Sequence, residues 1–278
     1  MLTLFTIPKP FEGRIAEIQL NALRSWAALG DDVQVVLLGD EEGTAEASRS
    51  VGAEHVPFLL RNEQGTPRLD SAFAQADAVA RHPLRCFVNA DIVLLDDFLP
   101  AVRLAAAVDE RFLMVGRTVD LDCVTAAELT DPARLRSRAA AAGAERGAAA
   151  LDYFVFPAGL FGELPPFLVG RAGFDNWLVW RARQEGPVID ASAGVLAVHQ
   201  SHDYAHLADG MNEAYYGEEA SWNNRLLGGR NHVYTIHDAS HKLLSNGDIR
   251  RNYGSVLRVR ETARKAAWKL GRQQRRNR

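Results

Sequence analysis

The sequence predicts an α/β domain built on a mostly parallel central sheet flanked by helices. Short apolar or β-branched runs alternate with helix-period segments from the first residues onward. Glycine and proline punctuate that alternation where one element must give way to the next. A chain of 278 residues with 47% hydrophobic content can bury a sizeable core, and no internal repeat divides it, so one domain is expected.

Residues 2–7 read as a buried strand. Ile15, Ile18, Ala22, Trp26 and Leu29 then recur at helical spacing until Gly30 stops the helix. Residues 33–38 form a second β-branched run, an Ala-rich segment around 43–50 reads as helical, and residues 54–58 as a short third strand. Leu69, Ala72, Phe73, Ala76 and Val79 mark another amphipathic helix, ending near Pro83 and feeding a fourth apolar strand at 85–88. Asp96 or Asp97 is placed to cap the next helix, with Pro100 tolerated in its first turn, and residues 112–115 are again strand-like. Residues 133–150, rich in Ala and Arg, read as an inserted, loosely packed or mobile helix without specific chemistry. An aromatic, Pro/Gly-rich stretch follows, then a helix begun near Asp175, then a strand pair across 187–189 and 195–199.

The net charge of −3 is unevenly spread, because residues 258–278 hold nine Lys/Arg against the single acid Glu261 and leave the remainder at −11. With Val259, Ala263, Ala267, Trp268 and Leu270 among them, these residues have the charge and apolar surface to contact an anionic membrane or polyanionic carrier; a solvated terminal helix is the other reading. Nucleic-acid binding is not expected, since the tail lacks a recognition module and the body is acidic. The first residues have no basic segment ahead of an apolar one, and no uncharged apolar run approaches the roughly 20 residues needed to cross a bilayer. Only Cys86 and Cys123 are available for disulfides. A cytoplasmic protein is expected, one that the tail can bring to the inner membrane face.

Chemistry concentrates in residues 85–98, RCFVNADIVLLDDF, where Asn89 and Asp91 interrupt an otherwise apolar passage. A carboxylate buried there is costly without a partner. A bound divalent cation is one such partner, and open α/β sheets place ligands beyond the carboxyl ends of their strands; a turn-stabilising role is the alternative.

Asn89-Ala90-Asp91, together with the ordered blocks LDYFVFPAGLFGELPPF, GRAGFDNWLVWRAR and AVHQSHDYAH, resembles the GT-A glycosyltransferases of the nucleotide-diphospho-sugar transferase superfamily, whose DxD motif ends the fourth strand. The resemblance spans roughly residues 1–240, leaving 241–278 as a basic extension. It implies a nucleotide-binding half over about 1–116 and an acceptor half over 117–240. The implied activity is transfer of a sugar from a nucleotide-diphosphate donor to an acceptor hydroxyl, assisted by Mn²⁺ or Mg²⁺. Asn89 departs from the motif and removes one negative charge, although its carbonyl can still serve as a ligand or bond a ribose.

The resemblance makes Asp91 the principal metal ligand and points to a further one among His199, His202 and His206, which cluster with Asp203; His199 and then His202 are the expected choices. Imidazole suits Mn²⁺ better than Mg²⁺. Asp175 matches the position of the catalytic base in similar inverting enzymes, while a carboxylate at a helix start is also commonly a cap. Thr6 and Pro8 at the first strand's exit, Asp40 after the second strand, and Arg68 before the third helix are placed to contact the donor with Asn89 and Asp91. Asp152, Tyr153, Phe156 and Trp177 are candidate acceptor residues, with core packing the competing role for the last two. A sugar nucleotidyltransferase fits less well, because PKPFEGR replaces the Gly-rich basic loop that cradles a triphosphate. A catalytically silent nucleotide- or glycan-binding protein is the remaining alternative, and Asn89 is its best argument.

Overall fold

The first strand, β1 (Leu2–Thr6), is buried along its whole length, and its side chains divide between the two faces of a sheet. Leu2 and Leu4 join a core layer with Trp26, Phe98 and Val102, whereas Phe5 joins the opposite layer with Val36, Phe73 and Phe87. Burial on both faces is what helices on either side of a parallel sheet impose. The computed structural model describes residues 1–202 and 210–254.

Strand and helix alternate as expected through α1 (Gly13–Ala27), β2 (Val33–Leu38), α2 (Thr44–Val51), β3 (Glu54–Val56), α3 (Leu69–Val79) and β4 (Leu84–Val88). β1 pairs in parallel with β2 and β4, and β2 with β3. After β5 (Ile92–Leu94), α4 (Phe98–Ala106) leads to β6 (Leu113–Val115). Asp97 stands at the start of α4 without capping it. Its Oδ2 instead accepts from Leu196 N at 3.1 Å and pairs with Arg136, so this acid ties segments together rather than ending a helix.

Residues 116–151 hold β7 (Val119–Leu121), α5 (Ala126–Leu129), α6 (Pro132–Ala142) and β8 (Ala144–Glu145). The expectation of a loosely packed insertion is corrected here: Leu135 is fully buried, Asp131 caps α6, and β8 pairs with β7. The chain then enters the main sheet as β9 (Tyr153–Pro157), antiparallel to both neighbours, β4 and β6. Next come α7 (Phe174–Glu185), β10 (Val188–Asp190), β11 (Ala197–Gln200), α8 (Gly210–Tyr216), α9 (Glu218–Leu226), β12 (His241–Leu243) and β13 (Ile249–Arg251).

The nine-stranded sheet runs β13-β12-β10-β6-β9-β4-β1-β2-β3, and a smaller sheet runs β5-β11-β7-β8. The expected strand pair across 187–199 therefore does not form, because β10 pairs with β6 and β12 whereas β11 pairs with β5 and β7. The boundary expected at residue 240 also moves, since β12 and β13 extend the main sheet through Arg251 and bury Leu243. Residues 255–278, which include the whole basic tail of residues 258–278, lie outside the described residues. Among the described residues no helix is long and apolar enough to cross a membrane.

Candidate functional site

Asn89, Ala90 and Asp91 form the turn between β4 and β5, closed by Ile92 N donating to Asn89 O at 3.2 Å. β5 is held under α1 by Trp26 Nε1, which donates to Ile92 O at 2.8 Å. On its other side β5 pairs with β11, and His199 is in register with Ile92. Gln200, fully buried, fixes β11 by donating to Ile18 O at 2.9 Å and accepting from Val124 N at 3.1 Å. These anchors bring the motif turn against the histidines at the carboxyl end of β4.

Asp91 Oδ2 lies 3.0 Å from His202 Nε2 and 3.6 Å from His199 Nε2. One ligand atom from each of the three residues falls within 4.8 Å of the others. Oδ1 of Asp91 is buried and has no hydrogen-bond partner among the described residues. A carboxylate oxygen left in that condition is expensive, and a cation between these side chains would satisfy it. Oxygen and imidazole donors together suit a first-row divalent ion. Burial pushes the Asp91 carboxyl up, but the hydrogen bonds and charge of His199 and His202 outweigh it and hold the group far below the ordinary carboxylate range. The His199 imidazole loses basicity to burial, yet Asp91 more than restores it and the net shift is upward. His206 and Asp203 lie outside the described residues.

The antiparallel course of β9 supplies the second half of the site. Because Tyr153 pairs with Val88, the residue just before β9 arrives beside the one just after β4. Asp152 O accepts from Asn89 N at 2.9 Å, and Asp152 Oδ1 accepts from Asn89 Nδ2 at 3.1 Å. Asp152 Oδ2 accepts from Thr118 Oγ1 at 2.7 Å and Arg146 Nη1 at 2.6 Å. Asn at the first motif position thus donates where an aspartate would set two carboxylates together.

Thr118, Asp120 and Arg146 were not legible as site residues. Arg146 sits in the Ala/Arg-rich stretch, and its N donates to Thr118 O at 2.9 Å, which turns its side chain toward Asp152 and Asp120. Burial disfavours its charge, but Asp152 and Asp120 outweigh that and raise its affinity for the proton.

Asp175 lies in the first turn of α7, and the preceding Gly173 adopts φ 109°. α7 runs back toward β10, which is parallel to β6, so its N-terminus faces the same sheet edge as the motif turn. The N-cap residue of α7 is Gly173 rather than Asp175, and Asp175 Oδ1 is buried and unpartnered among the described residues. Burial raises its carboxyl to about 6, with a further upward contribution from Asp152, against backbone N–H groups that lower it.

Other expected residues are placed differently. Thr6 ends β1 with its Oγ1 buried and unpartnered among the described residues, and Pro8 is buried just beyond it. Asp40, exposed after β2, pairs with Arg61 at 2.8 Å, and Arg68 pairs with Asp70 at 2.6 Å. None of these four is hydrogen-bonded to the Asp91–Asp152 group among the described residues.

Three expected acceptor residues are corrected to core. Tyr153 is wholly buried against Phe98, with its hydroxyl beside Gly116. Phe156 stacks on Phe73 at the opposite end of β9, facing the other side of the sheet. Successive strand residues point to opposite faces, so these two could not line one pocket. Trp177 packs between Phe167 and Trp180.

No model of a known protein family matches the sequence, and no curated protein matches it. Among solved structures, the chain is similar to glucosyl-3-phosphoglycerate synthase from Mycobacterium tuberculosis in complex with Mg²⁺ and uridine diphosphate. That similarity has 15% identity and a TM-score of 0.49, over 91% of this chain and 87% of that one. The same enzyme with Mn²⁺, uridine diphosphate and glucosyl-3-phosphoglycerate gives 15% identity and a TM-score of 0.48 over the same shares, 91% and 87%. S. aureus TarS 1–349 gives 10% identity and a TM-score of 0.44 over 72% of this chain and 58% of that one.

Proposed function

We propose that this protein is a glycosyltransferase that moves a sugar from a nucleotide-diphosphate donor to an acceptor hydroxyl, with a divalent cation held by Asp91, His199 and His202. The observation that carries the reading is the Asp91 carboxylate at the carboxyl edge of a mostly parallel sheet: its Oδ2 faces two imidazoles, and its buried Oδ1 has no partner among the described residues. The sequence blocks that resemble GT-A transferases converge on that point. A cation bound there offsets the negative charge of a departing diphosphate, and two imidazole donors favour Mn²⁺ over Mg²⁺.

Asp175 takes the proton from the acceptor hydroxyl as its oxygen attacks the anomeric carbon, giving inversion. A carboxyl raised to about 6 is ionised at neutral pH yet is a better proton acceptor than an ordinary aspartate. Asp152, held by Arg146, Thr118 and Asn89, accepts a sugar hydroxyl on the acceptor side. Thr6, Pro8, Asp40 and Arg68 border the donor in a half that ends near residue 116, and the acceptor half extends through residue 251. The protein works in the cytoplasm, and the +8 charge of residues 258–278 draws it to anionic membrane surface.

The test is a screen of nucleotide-diphosphate sugars with Mn²⁺, read by mass-spectrometric product detection and thermal unfolding. A matching donor with Mn²⁺ at about 100 times Kd stabilises the fold by about 2.7 kcal/mol. For a chain of this size that is a Tm rise of about 5–10 °C. Asp91→Ala removes most of it. No shift and no product with any donor would overturn the proposal.

A further inference from the structure

His199 is aimed by a residue outside every sequence block. Asp120 on β7 is the register partner of His199 on β11, and Asp120 Oδ1 lies 2.6 Å from His199 Nδ1. The other ring nitrogen, Nε2, is the one directed at Asp91 Oδ2, at 3.6 Å. Asp120 is steadied in turn by Arg146, whose Nε lies 3.5 Å from the same Oδ1 and whose Nη1 holds Asp152.

We propose that Asp120 is a positioning residue: its carboxylate accepts the Nδ1 hydrogen of His199 and so fixes the imidazole in the tautomer whose Nε2 lone pair is free to bind a cation. The inference rests on the reading of Asp91, His199 and His202 as a cation site. A neutral imidazole carries one ring hydrogen, and a metal binds only the nitrogen without it. With the hydrogen on Nε2, His199 would donate toward Asp91 and could not ligate. A carboxylate at Nδ1 makes that tautomer unfavourable, because two acceptors would face each other across 2.6 Å. It also locks the ring plane and makes Nε2 a stronger donor to the metal. The chemistry therefore divides between two strands: β11 supplies the ligand and β7 supplies its orientation. Arg146 balances the Asp120 charge and keeps the carboxylate at the ring rather than at the cation.

The test uses Mn²⁺ alone, titrated calorimetrically into the full chain and its Asp120→Ala and Asp120→Asn variants. Loss of an outer-shell carboxylate is expected to weaken binding by about 10–100-fold in Asp120→Ala. Asp120→Asn keeps an acceptor at Nδ1 and is expected to recover most of that loss. Wild-type affinity in Asp120→Ala overturns the inference. So does an Asn variant as weak as the Ala variant, which would make Asp120 a direct ligand.

The side-chain ¹⁵N spectrum of His199, recorded with the ring neutral and no metal present, gives a second readout. It is expected to show hydrogen on Nδ1 in the wild type and a mixture of tautomers in Asp120→Ala. Hydrogen on Nε2 in the wild type overturns the inference. A wild type that binds no Mn²⁺ but shows the Nδ1 tautomer defeats the cation-site reading and leaves the assignment of Asp120 to His199 standing.

Discussion

Asp175 is the residue whose protonation should be visible from outside. Its carboxyl is raised to about 6 chiefly by burial, so in its proposed role as base transfer is expected to rise with pH through that value as the group ionises. Asp175→Asn should leave donor binding intact while lowering kcat by about 10²–10⁴-fold, measured by donor titration beside turnover. Stability moves the opposite way. The folded state holds this proton above the pH at which the unfolded chain has released it, so stability falls as pH rises from about 4 to 6 and the penalty persists above that. Partial solvent access limits it to about 2 kcal/mol or less. Chemical denaturation of wild type and Asp175→Asn across that window checks the sign, and the Asn variant should lose the slope. Tyr153 gives a contrasting case, since its hydroxyl is buried without a partner among the described residues. Tyr153→Phe is expected to keep or raise Tm and leave the acceptor KM unchanged, whereas a tyrosine bonded to acceptor would raise KM.

At the level of elements, the alternation from β1 through β4 was legible because each strand is an apolar run and each helix carries its own period. The motif turn and Asp175 stood out as candidates for a related reason: an acid set among apolar residues is conspicuous. Tyr153 and Phe156 were misplaced because strand β9 is covered on both faces, so an aromatic there says only that it is buried, and Trp177 on α7 packs into the core with Phe167 and Trp180. Arg146 and Asp120 were hidden for a different reason. Their meaning arises from β7 meeting β11 and β8, pairings between segments that no local periodicity records. The connection from β6 to β7 tests how tightly that unit is seated. A Cβ at Gly116 would fall 2.0 Å from Tyr153 Oη and 3.2 Å from Ser192 N. Gly116→Ala should therefore cost about 1–3 kcal/mol, seen as a lower denaturant midpoint with unchanged slope.

For the molecule as a whole, the described domain continues to Arg251, because β12 and β13 complete one edge of the main sheet. Ending the chain at residue 240 would strip β10 of one of its two parallel neighbours and remove the buried Leu243. Such a truncation is expected to unfold several degrees below the full chain in a thermal melt, the loss of one large core side chain alone costing about 2–5 kcal/mol. Equal Tm values would show that the edge pair contributes nothing.

The reversed direction of β9 has one more consequence. A strand that runs against its neighbours must be entered from the edge at which they finish, so the whole excursion between β7 and β9 is delivered to the rim where donor and acceptor would meet. Exchanges within α5 and α6 that keep the buried Leu135 and the Arg136–Asp97 pair therefore leave every rung of the main sheet in place. Under the glycosyltransferase reading proposed above, exchange of that segment with Arg146 and Asp152 left in place is the change expected to redirect the scaffold toward a different acceptor.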